Sequence, residues 1–381
     1  MSPVGPEYGF GLYIHWPYCA RICPYCDFNV YAAKDRDVEP LLDAIIADIQ
    51  AHRARLSDHP ALDSVFLGGG TPSLLSPTQI ARLLEKVNDA FSIAQDAEIT
   101  LETNPNDVLR DAPNAWRQAG INRLSLGVQS LDNAALSFLG RDHNAKNALT
   151  ALDKVQLVFD NHSVDLIYAR PEQSLNAWET ELREVLSLGA PHLSLYELTI
   201  AERTAFGKRA ARGELVPMPD DDQADLYEMT QEICAEHGLG AYEVSNHARG
   251  RAFESRHNHI YWANGDWIGV GPGAHGRLTI NGERLATEAP RRPADYISSP
   301  RPVESKLSTL DAAREFLAMA LRPVQGMDLG RFEALFGCPP NPATIENMTT
   351  NGLAQIDARR LRLTPKGQLL ADYIAGQLAP Y

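Results

Sequence analysis

The hydrophobic positions of this chain repeat one pattern: a short run rich in Val, Ile and Leu, a loop, then an amphipathic stretch of roughly ten to twenty residues. The runs Leu12–Trp16, Ser64–Leu67, Glu98–Glu102, Arg123–Val128, Ser163–Tyr168 and His192–Leu198 read as strands. The stretches between them read as helices with defined ends. Leu41, Leu42, Ile45, Ile46 and Ile49 mark one apolar face of the first. Ser76, Pro77 and Gln79 form a capping-box start ahead of Ile80, Leu83, Leu84, Val87 and Phe91. Gly120 and Gly189 fall where C-terminal caps end two later helices.

Six consecutive βα units predict an α/β fold, in which right-handed crossovers let a parallel sheet curl into a partial (β/α)6 barrel. An open doubly wound sheet is the alternative. The polar residues discriminate between them: Cys19–Cys26, Gly68–Gly70, Glu102, Gln129 and Asp165 all fall at or near the C-terminal ends of predicted strands, where βα architectures assemble sites. A barrel gathers these residues around one centre, and a flat sheet spreads them out.

Past Leu198 the rhythm changes. A helix from about Asp221 to Glu236 leads to Arg256-His-Asn-His-Ile-Tyr-Trp262, then to a strand entering a glycine loop at Trp267–His275 and a hairpin turn at Asn281-Gly282. Pro290, Pro293, Pro300 and Pro302 suggest a linker. From Ser308 the pattern predicts helices over Asp311–Leu321, Asp328–Phe336 and Ala343–Asn351, strands at Ala354–Asp357 and Arg360–Leu363, and a last helix opened by Thr364-Pro365. The expected division is a barrel over 1–240, a connecting segment with a His-Asn motif and hairpin over 241–302, and a small helical, winged-helix-like domain over 303–381.

Composition narrows the function classes. The chain of 381 residues is 44% hydrophobic and 22% charged, an ordinary globular balance. Its 35 Lys+Arg against 49 Asp+Glu leave a net charge of -14, which disfavours a generic nucleic-acid backbone binder. Arg359, Arg360 and Arg362 therefore read as part of a solvated hairpin rather than a phosphate site. No run approaches the roughly 20 apolar residues of a membrane-spanning helix, and the N-terminal residues do not resemble a signal peptide, so the expected compartment is the cytoplasm. Of five cysteines, three crowd into Cys19–Cys26. That is no disulfide framework, and a reducing compartment keeps such thiols free for metal.

Cys19, Cys23 and Cys26 carry the chemistry. Zinc sites usually assemble four ligands from paired Cys-x-x-Cys elements or nearby histidines, whereas Cys234 and Cys338 stand alone here. Three thiolates on a 4Fe-4S cluster leave one iron without a protein ligand and open to a small molecule. Gly68, Gly69 and Gly70, following a strand and adjoining Thr71-Pro72, permit close backbone approach to a ligand. Glu102 is a carboxylate suited to a ribose hydroxyl or an ammonium group. Taken singly, such residues are also common as caps or surface groups.

Cys-x-x-x-Cys-x-x-Cys after a first strand, followed by Gly68-Gly-Gly-Thr-Pro72, resembles the radical S-adenosylmethionine (SAM) superfamily. Tyr13-Ile-His-Trp-Pro17 narrows the resemblance to the branch holding the oxygen-independent coproporphyrinogen III oxidases and the HemW-type heme chaperones. The resemblance implies a radical SAM partial barrel in which SAM chelates the open iron, and an electron from the cluster splits its sulfonium to give a 5'-deoxyadenosyl radical. It implies SAM contacts at Tyr13, Tyr25, Gly69, Gly70, Thr71, Glu102, Gln129, Arg141 and Asp165. Two features separate the branch members. The oxidases carry a further cysteine two residues after the third, where this chain has Phe28. His257-Asn-His-Ile-Tyr-Trp262 matches a motif associated with heme binding in the chaperones, implying His257 as heme ligand; locally, His259 or a merely hydrogen-bonded His257 remains open.

The leading expectation is a heme chaperone-like protein that binds a 4Fe-4S cluster, SAM and heme and passes heme to acceptors such as respiratory proteins. The alternatives are a radical SAM oxidase decarboxylating coproporphyrinogen III, with Arg21 a candidate for holding substrate carboxylates, and a nucleic-acid-modifying protein reading through its C-terminal domain. Peripheral membrane association and homodimer formation stay open. Serine at Cys19, Cys23 or Cys26 is expected to prevent stable cluster incorporation after anaerobic reconstitution, and full iron and sulfide content in any one of the three variants would place the cluster elsewhere.

Overall fold

Strand alternation builds the core. A computed structural model of the chain describes residues 5, 8–34, 37–56, 59–111 and 113–379. The first long strand, β1 (Phe10–Trp16), turns Phe10, Leu12, Ile14 and Trp16 toward the helices, each at most 1% exposed, while Gly11, Tyr13 and His15 face the other way. The same two-residue period runs through β2 (Leu62–Gly69), β3 (Ile93–Thr103), β4 (Arg123–Gln129), β5 (His162–Tyr168) and β6 (His192–Glu197). Val65, Leu67, Leu101, Leu124, Leu126, Val164, Leu166, Leu193 and Leu195 join the main apolar core.

These six strands pair in parallel in chain order, and the helices Glu39–Arg55, Pro77–Phe91 and Leu175–Ser187 make three of the crossovers. The other two crossovers each contain two helices where the pattern suggested one: Pro105–Arg110 with Pro113–Gln118, and Asn133–Phe138 with Ala145–Gln156. The capping box at Ser76 and Gln79 forms in full, and both Gly120 and Gly189 take positive φ. The architecture is the expected α/β partial barrel. Its sheet is twelve-stranded and open.

The stretch 241–302 supplies strands to both flanks of that sheet. β7 (Asp266–Val270) pairs with β1 as a seventh parallel strand, and Asn246–Ala248 lies antiparallel against β6. After β7 the chain forms the hairpin His275–Ile280 and Glu283–Glu288, with Asn281 and Gly282 at φ +51° and +78°, the geometry of a two-residue primed turn. The proline-rich stretch is not a free linker. Pro293–Ser298 is a helix whose Tyr296 is fully buried and donates to the Asp48 carboxylate at 2.7 Å, because proline is well suited to a first helical turn and the phenol finds a buried acceptor.

A separate cluster of buried side chains spans Ala313 to Ala379. Helices Thr309–Ala320, Leu329–Phe336 and Pro342–Thr350 pack with the hairpin Ala354–Asp357 and Arg360–Leu363, to which Met327–Asp328 adds a third strand. Arg360 donates to the Gly326 carbonyl and Arg362 pairs with Asp357, so these arginines serve their own hairpin. No helix among the described residues is long and apolar enough to cross a membrane.

One buried carboxylate ties β7 to the hairpin. Asp266 is fully buried, accepts from the Thr279 backbone N–H at 2.7 Å and hydroxyl at 2.9 Å, and pairs with Arg284 and His59. Asp266→Ala leaves the Arg284 guanidinium unpaired, and chemical denaturation is expected to register a loss of about 3–5 kcal/mol.

Candidate functional site

Most inward positions of the six strands are small or polar, Gly11, Ser64, Gly68, Thr100, Glu102, Ser125, Gly127, Ser163, Asp165 and Ser194, with Tyr13, Phe66, Ile167 and Tyr196 as bulky exceptions. A closed barrel fills this space with branched side chains. Here a cavity of about 600 Å³ remains, lined from Gln129 at one end of β4 to Arg123 at the other, a span of about 20 Å at the usual strand rise. Every nominated residue lines it: Tyr13, Cys19, Cys23, Tyr25, Cys26, Gly69, Gly70, Thr71, Glu102, Gln129, Arg141, Asp165 and His257.

The cysteine loop and the glycine loop are joined through backbone. Gly70 N–H donates to the Trp16 carbonyl at 2.7 Å and Thr71 N–H to the Tyr18 carbonyl at 2.8 Å. A Cβ on Gly70 would lie 2.8 Å from both carbonyl oxygens, so no other residue fits without moving the loop. Gly69 has φ +103° and lies against the His15 ring, whose Nε2 is 3.0 Å from the Asn29 carbonyl. Asn29 in turn donates to the carbonyls of Pro272 and Arg291, both at 2.8 Å, fastening the cysteine loop to the turn that follows β7.

All three cysteines are free thiols within electrostatic range of one another. Burial pushes the Cys19 thiol up to about 11, against a lowering hydrogen bond from Thr71. Burial also raises Cys26. Binding iron would supply the positive charge that makes such thiolates favourable. Among the described residues no three His, Cys, Asp or Glu side chains already surround one point as ligands of a single metal ion do. Thiolates on separate irons of a cluster need not do so, and the donor set of three thiols at the mouth of a cavity fits that group.

Around the thiols the polar groups are interlinked. Arg141 donates to the Cys23 sulfur at 3.4 Å and to the Gly127 carbonyl at 3.1 Å, and it also meets Asn104. Its Nε is buried without a partner. Tyr25 lies beside Cys23 and Arg141 and packs toward Phe206. Gln129, in a left-handed conformation at φ +67°, ends β4 at an irregularity in its pairing with β5. Glu102 accepts from Gly69 N–H at 3.1 Å. Burial, reinforced by nearby Asp165, lifts its carboxyl to about 7. Asp165 is raised mainly by burial, against hydrogen bonds from serine hydroxyls that include Ser125 at 2.7 Å and Ser163 at 2.9 Å.

His257 sits on the cavity wall in the helix Arg256–Trp262 and is 2% exposed. It stacks on Phe66, with Nδ1 2.7 Å from the Ser64 hydroxyl and Nε2 2.7 Å from the Tyr261 hydroxyl. Burial lowers its pKa to about 3, so the ring is neutral, and both nitrogens are engaged. His259 points away from the cavity, 2.7 Å from Glu254 and against Tyr242 and Trp262.

Several lining residues carry no motif. Arg123 and His192 open their strands, and polar residues there read as boundaries. Asn104 stands at the helix N-cap of Pro105–Arg110 yet makes no capping bond, and its side chain meets Thr71 and Arg141 instead. Glu102 offers a direct test of the electrostatics. A carboxyl raised from 4.5 to about 7 by folding favours the fold below 4.5, and that contribution is lost as pH rises to about 7. The stability of the wild type relative to Glu102→Gln is expected to fall between those pH values and level off above them, measured by denaturant titration at each pH.

The comparisons with known proteins agree with this geometry. The Radical SAM superfamily profile matches residues 13–185, and the HemN C-terminal domain profile matches 307–370. The chain is 32% identical to the heme chaperone HemW of Bacillus subtilis (strain 168) over 96% of its own length and 97% of that protein. It is 38% identical to HemW of Escherichia coli (strain K12), with coverage of 77% and 78%. With the mitochondrial radical S-adenosyl methionine domain-containing protein 1 of Mus musculus the identity is 35%, over 100% of this chain and 89% of the relative. The solved coproporphyrinogen III oxidase HemN from Escherichia coli, a radical SAM enzyme, superposes with a TM-score of 0.82 at 21% identity, covering 100% of this chain and 91% of that one, a likeness of fold. With its cysteine loop, its barrel and its C-terminal domain all matched, the chain belongs to the radical SAM superfamily and, within it, to the HemW family.

Proposed function

We propose that this protein binds a 4Fe-4S cluster on Cys19, Cys23 and Cys26, SAM against the glycine loop, and heme, and that it delivers heme to acceptors such as respiratory proteins in the cytoplasm. The observation that carries the reading is the convergence of the cysteine loop, the glycine loop and the His257 helix on one cavity. Relatives named heme chaperones, similar over nearly the whole chain, support the heme part.

In this reading Tyr13, Tyr25, Gly69, Gly70, Thr71, Glu102, Gln129, Arg141 and Asp165 hold SAM. Glu102 and Asp165 are suited to an ammonium group and to ribose hydroxyls, because a cation or a hydroxyl donor offsets the burial that raises both carboxyls. When bound, the cluster supplies an open iron and an electron. Arg141, donating to the Cys23 sulfur, stabilises negative charge on that ligand.

Heme is assigned to His257. A neutral imidazole is what iron requires, and burial keeps this ring neutral. Ligation by Nε2 requires the Tyr261 hydroxyl to turn away. Titration with hemin is therefore expected to give a Soret change that weakens in His257→Ala and tightens by about fivefold in Tyr261→Phe, the value of one hydrogen bond no longer competing. Unchanged binding in both variants removes the ligand assignment. Reconstituted protein given coproporphyrinogen III and a reductant under anaerobic conditions is expected to form no protoporphyrinogen, and efficient turnover would overturn the chaperone reading in favour of the oxidase.

A further inference from the structure

The mouth of the cavity carries an apolar rim that no role above uses. Phe28 is 67% exposed and Ile22 44%, and both line the cavity. Of the other exposed large side chains, Leu369, Leu370 and Tyr373 group near the C-terminus, while Ile22 and Phe28 share the cavity opening. Ile22 and Phe28 belong to the cysteine loop, whereas Tyr196 projects from β6 into the interior, toward Ser194, Asp165 and Glu102. Half-buried Val30 lines the cavity with Ile22 and Phe28.

Charge at the rim is uneven. Arg21 is exposed, lines the cavity, and makes no hydrogen bond or ion pair among the described residues. The nearby carboxylate of Asp27 is not equally free: Arg203 lies 3.9 Å from it and donates to the Asp27 carbonyl at 2.6 Å. The rim thus offers flat apolar surface next to one uncompensated guanidinium. That pairing suits a planar, mostly apolar ligand with an anionic edge, because the guanidinium binds a carboxylate through paired N–H donors while the apolar groups lose contact with water.

We propose that Phe28 and Ile22 form a seat for the face of the heme macrocycle at the cavity mouth, and that Arg21 takes one of its propionate carboxylates. The seat rests on the heme reading above but does not depend on which imidazole meets the iron. It gives Phe28 a positive role: an aromatic surface beside the cluster loop where the oxidases have a cysteine.

The test is hemin titration, followed at the Soret band, of full-length protein with Phe28→Ser, Phe28→Leu, Arg21→Ala and His257→Ala, with hemin dimethyl ester as second probe. Phe28→Ser is expected to weaken hemin about tenfold and Phe28→Leu to restore most of it, since the apolar surface is what matters. Arg21→Ala is expected to weaken hemin several-fold and the ester not at all, because esterification removes the charge that Arg21 pairs. Equal loss for hemin and ester in Arg21→Ala, or wild-type affinity in both Phe28→Ser and Arg21→Ala, overturns the seat. Weakening in His257→Ala alone overturns it too, by moving the macrocycle inward. No Soret change with wild-type protein overturns the heme reading itself.

Discussion

The two-residue period of the six parallel strands is the constraint on which the rest of this molecule depends. In most parallel sheets both faces are apolar because helices or a packed barrel interior cover them. Here one face is apolar and packs under the crossover helices, while the other carries mainly glycine, serine, threonine and carboxylates, with Tyr13, Phe66, Ile167 and Tyr196 among them. The sheet can curl around that second face without filling it. The resulting interior keeps room for a ligand because many of its wall residues are short, several with hydroxyls to offer.

That hollow sets the electrostatics of everything in it. Burial pushes Glu102 and Asp165 toward their neutral forms, and Cys19 is held as a thiol for the same reason. His257 is driven the opposite way and stays uncharged. Each group is least comfortable in the ionisation state that a cation, or in the histidine's case a proton, would require. Cationic ligands relieve the carboxyls and the thiol, and a neutral metal ligand is what the imidazole already is.

The cysteine loop owes its place to contacts that lie far apart in sequence. Backbone bonds from Gly70 and Thr71 hold its first half, and His15 and Asn29 hold its second half against the turn after β7. The segment 241–302 therefore helps build the site as well as bridging to the C-terminal residues. Its proline-rich end packs as a helix in which Tyr296 finds Asp48 on the first helix, a partner 248 residues away that no local pattern announces.

The sequence by itself determined the six parallel strands, the capping box at Ser76, the turn at Asn281-Gly282 and the motif residues among those that meet in the cavity. All of these follow from local periodicity, turn chemistry or a motif whose residues are adjacent. It also marked His257 by its motif but was silent on the state of the ring. Only the tertiary structure decided that both imidazole nitrogens are taken, by Ser64 from β2 and by Tyr261 from one turn along the same helix. The same holds for Asn104, whose side chain leaves its cap for Arg141, and for the seventh parallel strand beside β1. Hydrogen-bond partners and burial depend on which distant segments fold against a residue, and no spacing along the chain encodes them.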